Sequence, residues 1–454
     1  VDPASVTLIE AHGTGIPLGD KTEIEALTGI MGGRRGALPH CALGSVKSMI
    51  GHCIPAAGIA GLIKVALALY HKVLPPTLCE QVNPALGLET TPMYLNTETR
   101  PWVHPQDRPR RGAVNAFGFG GINTHAVLEE VASEAKNTLL RGWPSELVVF
   151  AAADRADLLE QIGRAHEWIE RHGAQSGLAA IAATLTRCLG VGTQRLAIVA
   201  SSVDDLIQKL VRARDALRGL DRHRLQTRSG SYFSDTPHTG KLAFLFPGEG
   251  AQYPNMLADL AQYFPAVRGW FDFWDTLYRE RRDIAPSAIV FPPPTACTAE
   301  TRETLTQRLY SLEVGSESAF IATQAMFALL QSFRVSPDVI VGHSSGENSA
   351  LVAGGVMRAH DKESLRRHIL NLNTMYQEIE AAGGVVTGAL LTVGAVDHAR
   401  VLEEVERSAG ELHLALDNCP HQTVLYGPRA PLEAAAERLR SLGGLCAWLP
   451  FDRA

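Results

Sequence analysis

The sequence has no Cys-x-x-Cys pair, no basic surplus and no charged-then-apolar opening segment. Its seven cysteines, an odd number at irregular spacing, argue against both a disulfide framework and a structural zinc site, and so for a reducing, cytoplasmic setting. A formal charge of −6 is the wrong sign for a nucleic-acid footprint, so no nucleic acid is expected as a partner. No apolar run is read as reaching the roughly 18–20 residues of a membrane span, and no membrane association is expected. The chain opens Val-Asp-Pro-Ala rather than on methionine, from which we expect an interior piece of a longer polypeptide. What is present is ordinary globular material, 454 residues with 46% apolar and 20% charged. That length allows about two to four domains.

Composition and periodicity divide the chain into an α/β multidomain. Residues 1–131 open with a short apolar strand, Val6 to Ile9, and continue to a run, Ala56 to Tyr70, apolar on all sides and therefore expected to be a buried helix. A strand at Thr124 to Leu128 closes this part. Residues 132–240 read as a small α/β linker. It has strands at Leu147 to Phe150 and Leu196 to Ala200, an N-cap at Asp154, and apolar residues Leu158, Ile162, Ala165 and Ile169 at helical spacing. The polar stretch Asp221 to Gly240 reads as surface connection. Residues 241–454 begin with the strand Leu242 to Phe246. Between about 383 and 449 the pattern is strand, helix, two strands, helix, strand, which is the ferredoxin-like order.

The strand Val339 to Val341 runs into Gly342-His343-Ser344-Ser345-Gly346, and a helical segment follows. Gly-x-Ser-x-Gly between strand and helix is a nucleophile elbow, in which small flanking residues let the backbone turn and expose the serine. Ser344 is the candidate nucleophile, and the next backbone N–H makes half an oxyanion hole. Together with Phe246-Pro247-Gly248-Glu249-Gly250-Ala251-Gln252 and Thr323-Gln324, this stretch resembles the acyltransferase domains of fatty-acid and polyketide synthases. The resemblance implies an α/β-hydrolase-like core in which Ser344 takes an acyl group from coenzyme A and hands it to the phosphopantetheine thiol of an acyl carrier protein. It also implies that the N–H groups of Ser345 and Glu249 form the oxyanion hole and that Gln324 contacts substrate. Glu249 stands where the family usually has glutamine; the donor there is backbone, so the change is compatible with activity.

The family arginine that pairs with a malonyl carboxylate is not found. Counting from Ser344 gives Ile369 and aligning on Met375 gives Asn371, with Arg366, Arg367 and Arg453 as the nearest substitutes. An uncharged acyl group is thus admitted. The resemblance places a base histidine just past Leu449-Pro450-Phe451, where the chain stops at Ala454, and a serine without a base is a poor nucleophile. His343 reads as a packed elbow residue rather than the base.

Three motifs in the first part resemble the C-terminal half of β-ketoacyl synthases, a thiolase-like fold. They are Glu10-Ala11-His12-Gly13-Thr14-Gly15, Gly44-Ser45-Val46-Lys47-Ser48-Met49-Ile50-Gly51-His52, and Asn115-Ala116-Phe117-Gly118-Phe119-Gly120-Gly121-Ile122-Asn123-Thr124-His125. The implied chemistry is decarboxylative condensation of acyl and malonyl thioesters. His12 and His52 would donate hydrogen bonds to a thioester oxygen as it gains negative charge. By resemblance Lys47 supports the site, Thr14 lies at it, Phe119 gates the pantetheine arm, and His125 is structural. The nucleophilic cysteine belongs to an Ala-Cys-Ser context that none of the cysteines here occupies. A zinc reading of Cys41, His52 and Cys53 lacks a second ligand pair.

Ketosynthase, linker and acyltransferase in this order resemble a type I modular polyketide synthase. The resemblance implies no bound cofactor, acyl-coenzyme A and an acyl carrier protein as partners, and dimerisation through the ketosynthase. With both sites lacking a partner group, little turnover is expected of the chain alone. A serine hydrolase or thioesterase using Ser344, with a base among His360, His368, His398, His413 and His421, and a non-catalytic docking piece are the alternatives.

Overall fold

The computed structural model describes residues 1–34, 36–118, 120–131, 143–219, 222–237, 239–357, 361–383 and 388–449. Phe119, His360 and Arg453 lie outside the described residues. The chain clusters into two compact units, Val1–Leu139 with Leu242–Ala454, and Leu140–Lys241.

The first unit opens with β1 (Leu8–Glu10), α1 (Pro17–Met31), β2 (Cys41–Gly44), α2 (Ala57–His71), β3 (Met93–Leu95), β4 (Arg111–Gly118) and β5 (Ile122–Glu129). The sheet order is β3-β2-β1-β4-β5, parallel from β3 to β4 and antiparallel at β5. β1 and β2 are buried along their whole length, the signature of strands covered on both faces. The sequence therefore reads as short apolar runs rather than as alternation.

α2 departs from expectation in two ways. Its Gly61, Val65, Ala68 and Leu69 are buried, whereas Ile59, Ile63, Leu67 and Tyr70 are each more than half exposed. A helix lying on a sheet meets it along one line, and composition cannot say which line. The window Ile54–His71, 18 residues with mean hydropathy 1.5, also meets the length and composition of a membrane span, contrary to the reading that no run does so. Within it, Lys64 Nζ reaches inward to the buried Glu10 carboxylate at 2.8 Å.

The second unit contains β6 (Glu146–Ala152), α3 (Arg155–Ser176), α4 (Leu178–Arg187), β7 (Gln194–Ala200), α5 (Val203–Leu217), β8 (Arg224–Gln226) and β9 (Ser231–Ser234). Its antiparallel sheet runs β8-β9-β7-β6. Asp154 caps α3 through the N–H of Asp157, as expected. Leu158, Ile162, Ile169, Leu206 and Leu210 form the helical side of the core. The stretch expected to be surface connection instead supplies β8 and β9, with Phe233 buried. Polar strands with one anchoring aromatic carry too little alternation to stand out from a linker.

The first unit resumes with β10 (Ala243–Phe246), α6 (Pro265–Tyr278), α7 (Leu312–Ser332), β11 (Val339–Gly342), α8 (Gly346–Ala353) and α9 (Lys362–Ala381). β10 and β11 pair in parallel, Phe246 opposite Gly342. Phe271, Trp274, Leu309, Ile321 and Ala325 belong to one buried apolar cluster. β12 (Ala389–Gly394), α10 (His398–Arg407), β13 (His413–Cys419), β14 (Gln422–Gly427), α11 (Arg429–Ser441) and β15 (Leu445–Trp448) follow, in the antiparallel order β13-β14-β12-β15. That is the ferredoxin-like topology expected from the sequence.

A buried ion network joins the two segments of this unit. Arg110, at the edge of β4, donates from Nη2 to both oxygens of Asp272 on α6 at 2.7 Å and from Nη1 to both Glu130 oxygens at 3.2 Å. Asp272 also accepts the His104 N–H at 2.9 Å.

Candidate functional site

Two places gather the motif residues. The first lies past the C-terminal ends of β1, β2 and β4, where open parallel sheets present ligand sites. His12 follows β1, Lys47 and His52 follow β2, and Phe117 is near the end of β4. The His12 and His52 rings stand edge to face with centroids 5.6 Å apart, and Phe117 lies 5.3 Å from His12.

Backbone donors fix the state of both rings. Phe117 N–H points at His12 Nδ1 (3.3 Å) and Ile54 N–H at His52 Nδ1 (3.0 Å). A backbone N–H can only donate, so each Nδ1 is bare and each neutral ring carries its proton on Nε2. Ile54 holds this geometry at φ +48°, a conformation a β-branched residue adopts only under constraint. Burial, then the charge of Lys47, pushes the His12 pKa below its usual range, and burial lowers Lys47 as well.

The loop carrying His12 is held by carboxylates on α1, residues the sequence reading passed over. Glu23, 6% exposed, accepts from His12 N–H at 2.8 Å, Gly13 N–H at 3.0 Å and Asn115 Nδ2 at 2.7 Å. Asp20 accepts from Thr14 N–H at 3.0 Å and Gly15 N–H at 3.1 Å. Their three-residue spacing puts both on the face of α1 that looks at the loop, the one signal that marks them. The Glu10 carboxylate accepts the Val46 N–H and the Lys64 ammonium, tying the loop after β2 to β1. Asn115 Oδ1 meets His125 Nδ1 at 2.6 Å, which gives His125 a structural place. Cys41 is fully buried and its thiol is pushed up by desolvation. Among the described residues no three His, Cys, Asp or Glu side chains converge as a metal site.

The second place is the turn from β11 to α8. Ser344 is exposed at φ +55°, between Gly342 and Gly346. A Cβ on Gly342 would come within 2.5 Å of Glu347 Cα, and one on Gly346 within 2.2 Å of Phe246 O. The turn therefore demands glycine at both positions, and the strain falls on the serine. Glu249, after β10, aims its N–H at this turn and donates to Ser345 Oγ at 2.9 Å. Gln324 on α7 is buried and donates to Ser349 O at 2.9 Å, so it braces α8. His343, expected to be packed, is exposed and reaches Asn418 Oδ1 on β13 at 3.2 Å, because the elbow turns it outward toward the ferredoxin-like part.

α9 faces a small cleft beside Ser345 with Ile369, Leu372, Asn373 and Tyr376. Asn371 is exposed, as are Arg366 and Arg367, so no arginine of this helix lines the cleft. Among the histidines of the hydrolase alternative, His398 pairs with Asp417 at 3.4 Å and His413 stacks on Tyr426.

A strained serine elbow with a ferredoxin-like part, in one chain with paired imidazoles at strand ends, fits acyl-transferring synthase domains. Family comparison assigns them. Residues 1–80 match the β-ketoacyl synthase C-terminal domain, 149–216 the RhiE-like KS-MAT linker domain and 243–448 the acyl transferase domain. Relatives that match over most of the chain include type I polyketide synthases. It is 34% identical over 442 residues to the spectinabilin polyketide synthase system protein NorB of Streptomyces orinoci, covering 95% of this chain and 19% of that one. It is 30% identical over 474 residues to a polyunsaturated fatty acid synthase of a Thraustochytrium species, covering 98% of this chain and 16% of that one. The chain thus spans less than a fifth of either relative. The acyl transferase domain of ZmaA shares the fold, with a TM-score of 0.53 at 18% identity over 69% of this chain and 66% of that chain.

Proposed function

We propose that this chain transfers acyl groups through Ser344 and supplies the two-histidine half of a condensing site. The observation that carries the first part is Ser344 itself, exposed at φ +55° with glycines that cannot be replaced on either side. In the proposed reaction Ser344 Oγ bonds to the acyl carbon of a coenzyme A thioester. The carbon–sulfur bond breaks, and the serine proton ends on the departing thiol. The thiol of a phosphopantetheine arm on an acyl carrier protein then reverses these steps, restoring the serine hydroxyl. Ser345 N–H and Glu249 N–H are the proposed donors to the oxyanion that forms in each half.

In the condensing site, Nε2–H groups on His12 and His52 would hydrogen-bond a thioester oxygen while malonyl loses carbon dioxide and becomes an enolate. With each Nδ1 facing a backbone N–H, both rings present Nε2–H as the donor to the site. Lys47, half-buried beside them, is proposed to shape their field and Thr14 to border the substrate. No bound cofactor is needed for either step. Dimerisation through the ketosynthase and a cytoplasmic setting complete the reading. The odd number of cysteines at irregular spacing supports that setting.

The test is single-turnover labelling with radiolabelled acyl-coenzyme A. Stable label on Ser344, absent from Ser344→Ala, is the expected result. Label on another residue, or none, overturns the reading, and rapid release as free acid favours a hydrolase.

A further inference from the structure

The cleft beside Ser345 is built around a buried carboxylate whose oxygens are already taken by donors from the protein. Glu317 on α7, 6% exposed, accepts from Trp274 Nε1 at 2.9 Å, from Arg282 Nη1 and Nη2 at 2.9 and 3.0 Å, from Asn373 Nδ2 at 2.7 Å and from the Tyr278 hydroxyl. These donors use up its lone pairs and, in return, occupy Arg282. Among the described residues the cleft therefore offers no free cation to a substrate carboxylate, and burying an unpaired one there would be costly.

Glu317 also decides how Asn373 stands. A carboxylate accepts only, so the Asn373 amide must turn its NH2 group toward it, which leaves Oδ1 as the other end of the amide. Asn373 is 6% exposed and lines the cleft, and among the described residues no donor meets Oδ1. Ile369 and Leu372 on the same helix face are apolar. The cleft volume of about 30 Å³ is room for roughly two water molecules, hence for a short group.

We propose that the acyltransferase site selects a short, uncharged acyl group bearing a hydroxyl, whose O–H donates to Asn373 Oδ1. This rests on Ser344 being the acylated residue. Glu317 is the positioning residue, and the Ile369 and Leu372 wall excludes a carboxylate.

The full chain is labelled in single turnover with matched coenzyme A thioesters: lactyl against propionyl, 3-hydroxybutyryl against butyryl, and malonyl alone. Each hydroxyacyl group labels faster than its partner by roughly 3- to 10-fold, the worth of one neutral hydrogen bond, and malonyl is slowest. Asn373→Leu brings both ratios toward one. Should Asn373→Leu not fold, the wild-type ratios decide alone. Equal labelling within both pairs, or malonyl labelling fastest, overturns the proposal while leaving Ser344 as nucleophile. No label from any thioester overturns the acyltransferase reading itself.

Discussion

Ser345 hydroxyl occupies the Glu249 N–H that the proposed oxyanion would need. The two acceptors compete for one donor, so removing the hydroxyl should release it. Ser345→Ala is expected to raise the single-turnover labelling rate of Ser344 by roughly 3- to 10-fold, the value of one hydrogen bond no longer exchanged. An unchanged or lower rate would show that the Ser345 hydroxyl turns away at no cost. His12 gives a prediction in pH. Burial and Lys47 lower its folded pKa beneath the ordinary value near 6.5. The unfolded chain then binds more protons, so this group's contribution is complete above about 6.5 and is lost as pH falls through the lowered folded value. Urea midpoints measured between pH 8 and pH 5 should fall on the acid side, and His12→Asn should flatten that fall.

At the scale of elements, the strand-to-helix turns carry the sites and α1 carries a loop. Glu23 serves three donors with two oxygens, and glutamine offers only one. Glu23→Gln is expected to cost about 1–3 kcal/mol in urea unfolding, with faster amide exchange at His12 and Gly13. A midpoint equal to wild type would mean that the loop finds other acceptors. How far these features were legible follows from the physics of each. The elbow, the histidine loops and the ferredoxin-like order are set by local sequence, where glycine spacing and short-range periodicity speak directly. Glu23 and Asp20 were silent because a carboxylate on a helix reads as a solvated face until the loop folds back on it. The Glu317 and Asn373 pair joins two helices 56 positions apart, a distance over which one sequence has no register. β8 and β9 were missed for the opposite reason, their polarity imitating a linker.

On the scale of the whole molecule, Arg110 and Asp272 join segments separated in sequence by the entire second unit. Both are buried, and Asp272 has its carboxylate filled by Arg110 and the His104 N–H. Arg110→Ala strands that carboxylate without its cation and should destabilise the first unit by about 3–5 kcal/mol. Hydrogen exchange should then rise across α6 while Val148 to Phe150 in β6 keep their protection. Uniform loosening of both units would contradict this.

That joined architecture has a consequence in time. During synthesis the strands β1 to β5 leave the ribosome before any residue of α6 exists, and roughly 100 residues of the second unit are made in between. At about 5–20 residues per second, the 162 positions between Arg110 and Asp272 make Arg110 wait on the order of 8–32 s. Over that interval Arg110 has only Glu130 for a partner and its Asp272 side is open in a nascent chain, and that is when a chaperone has most to do.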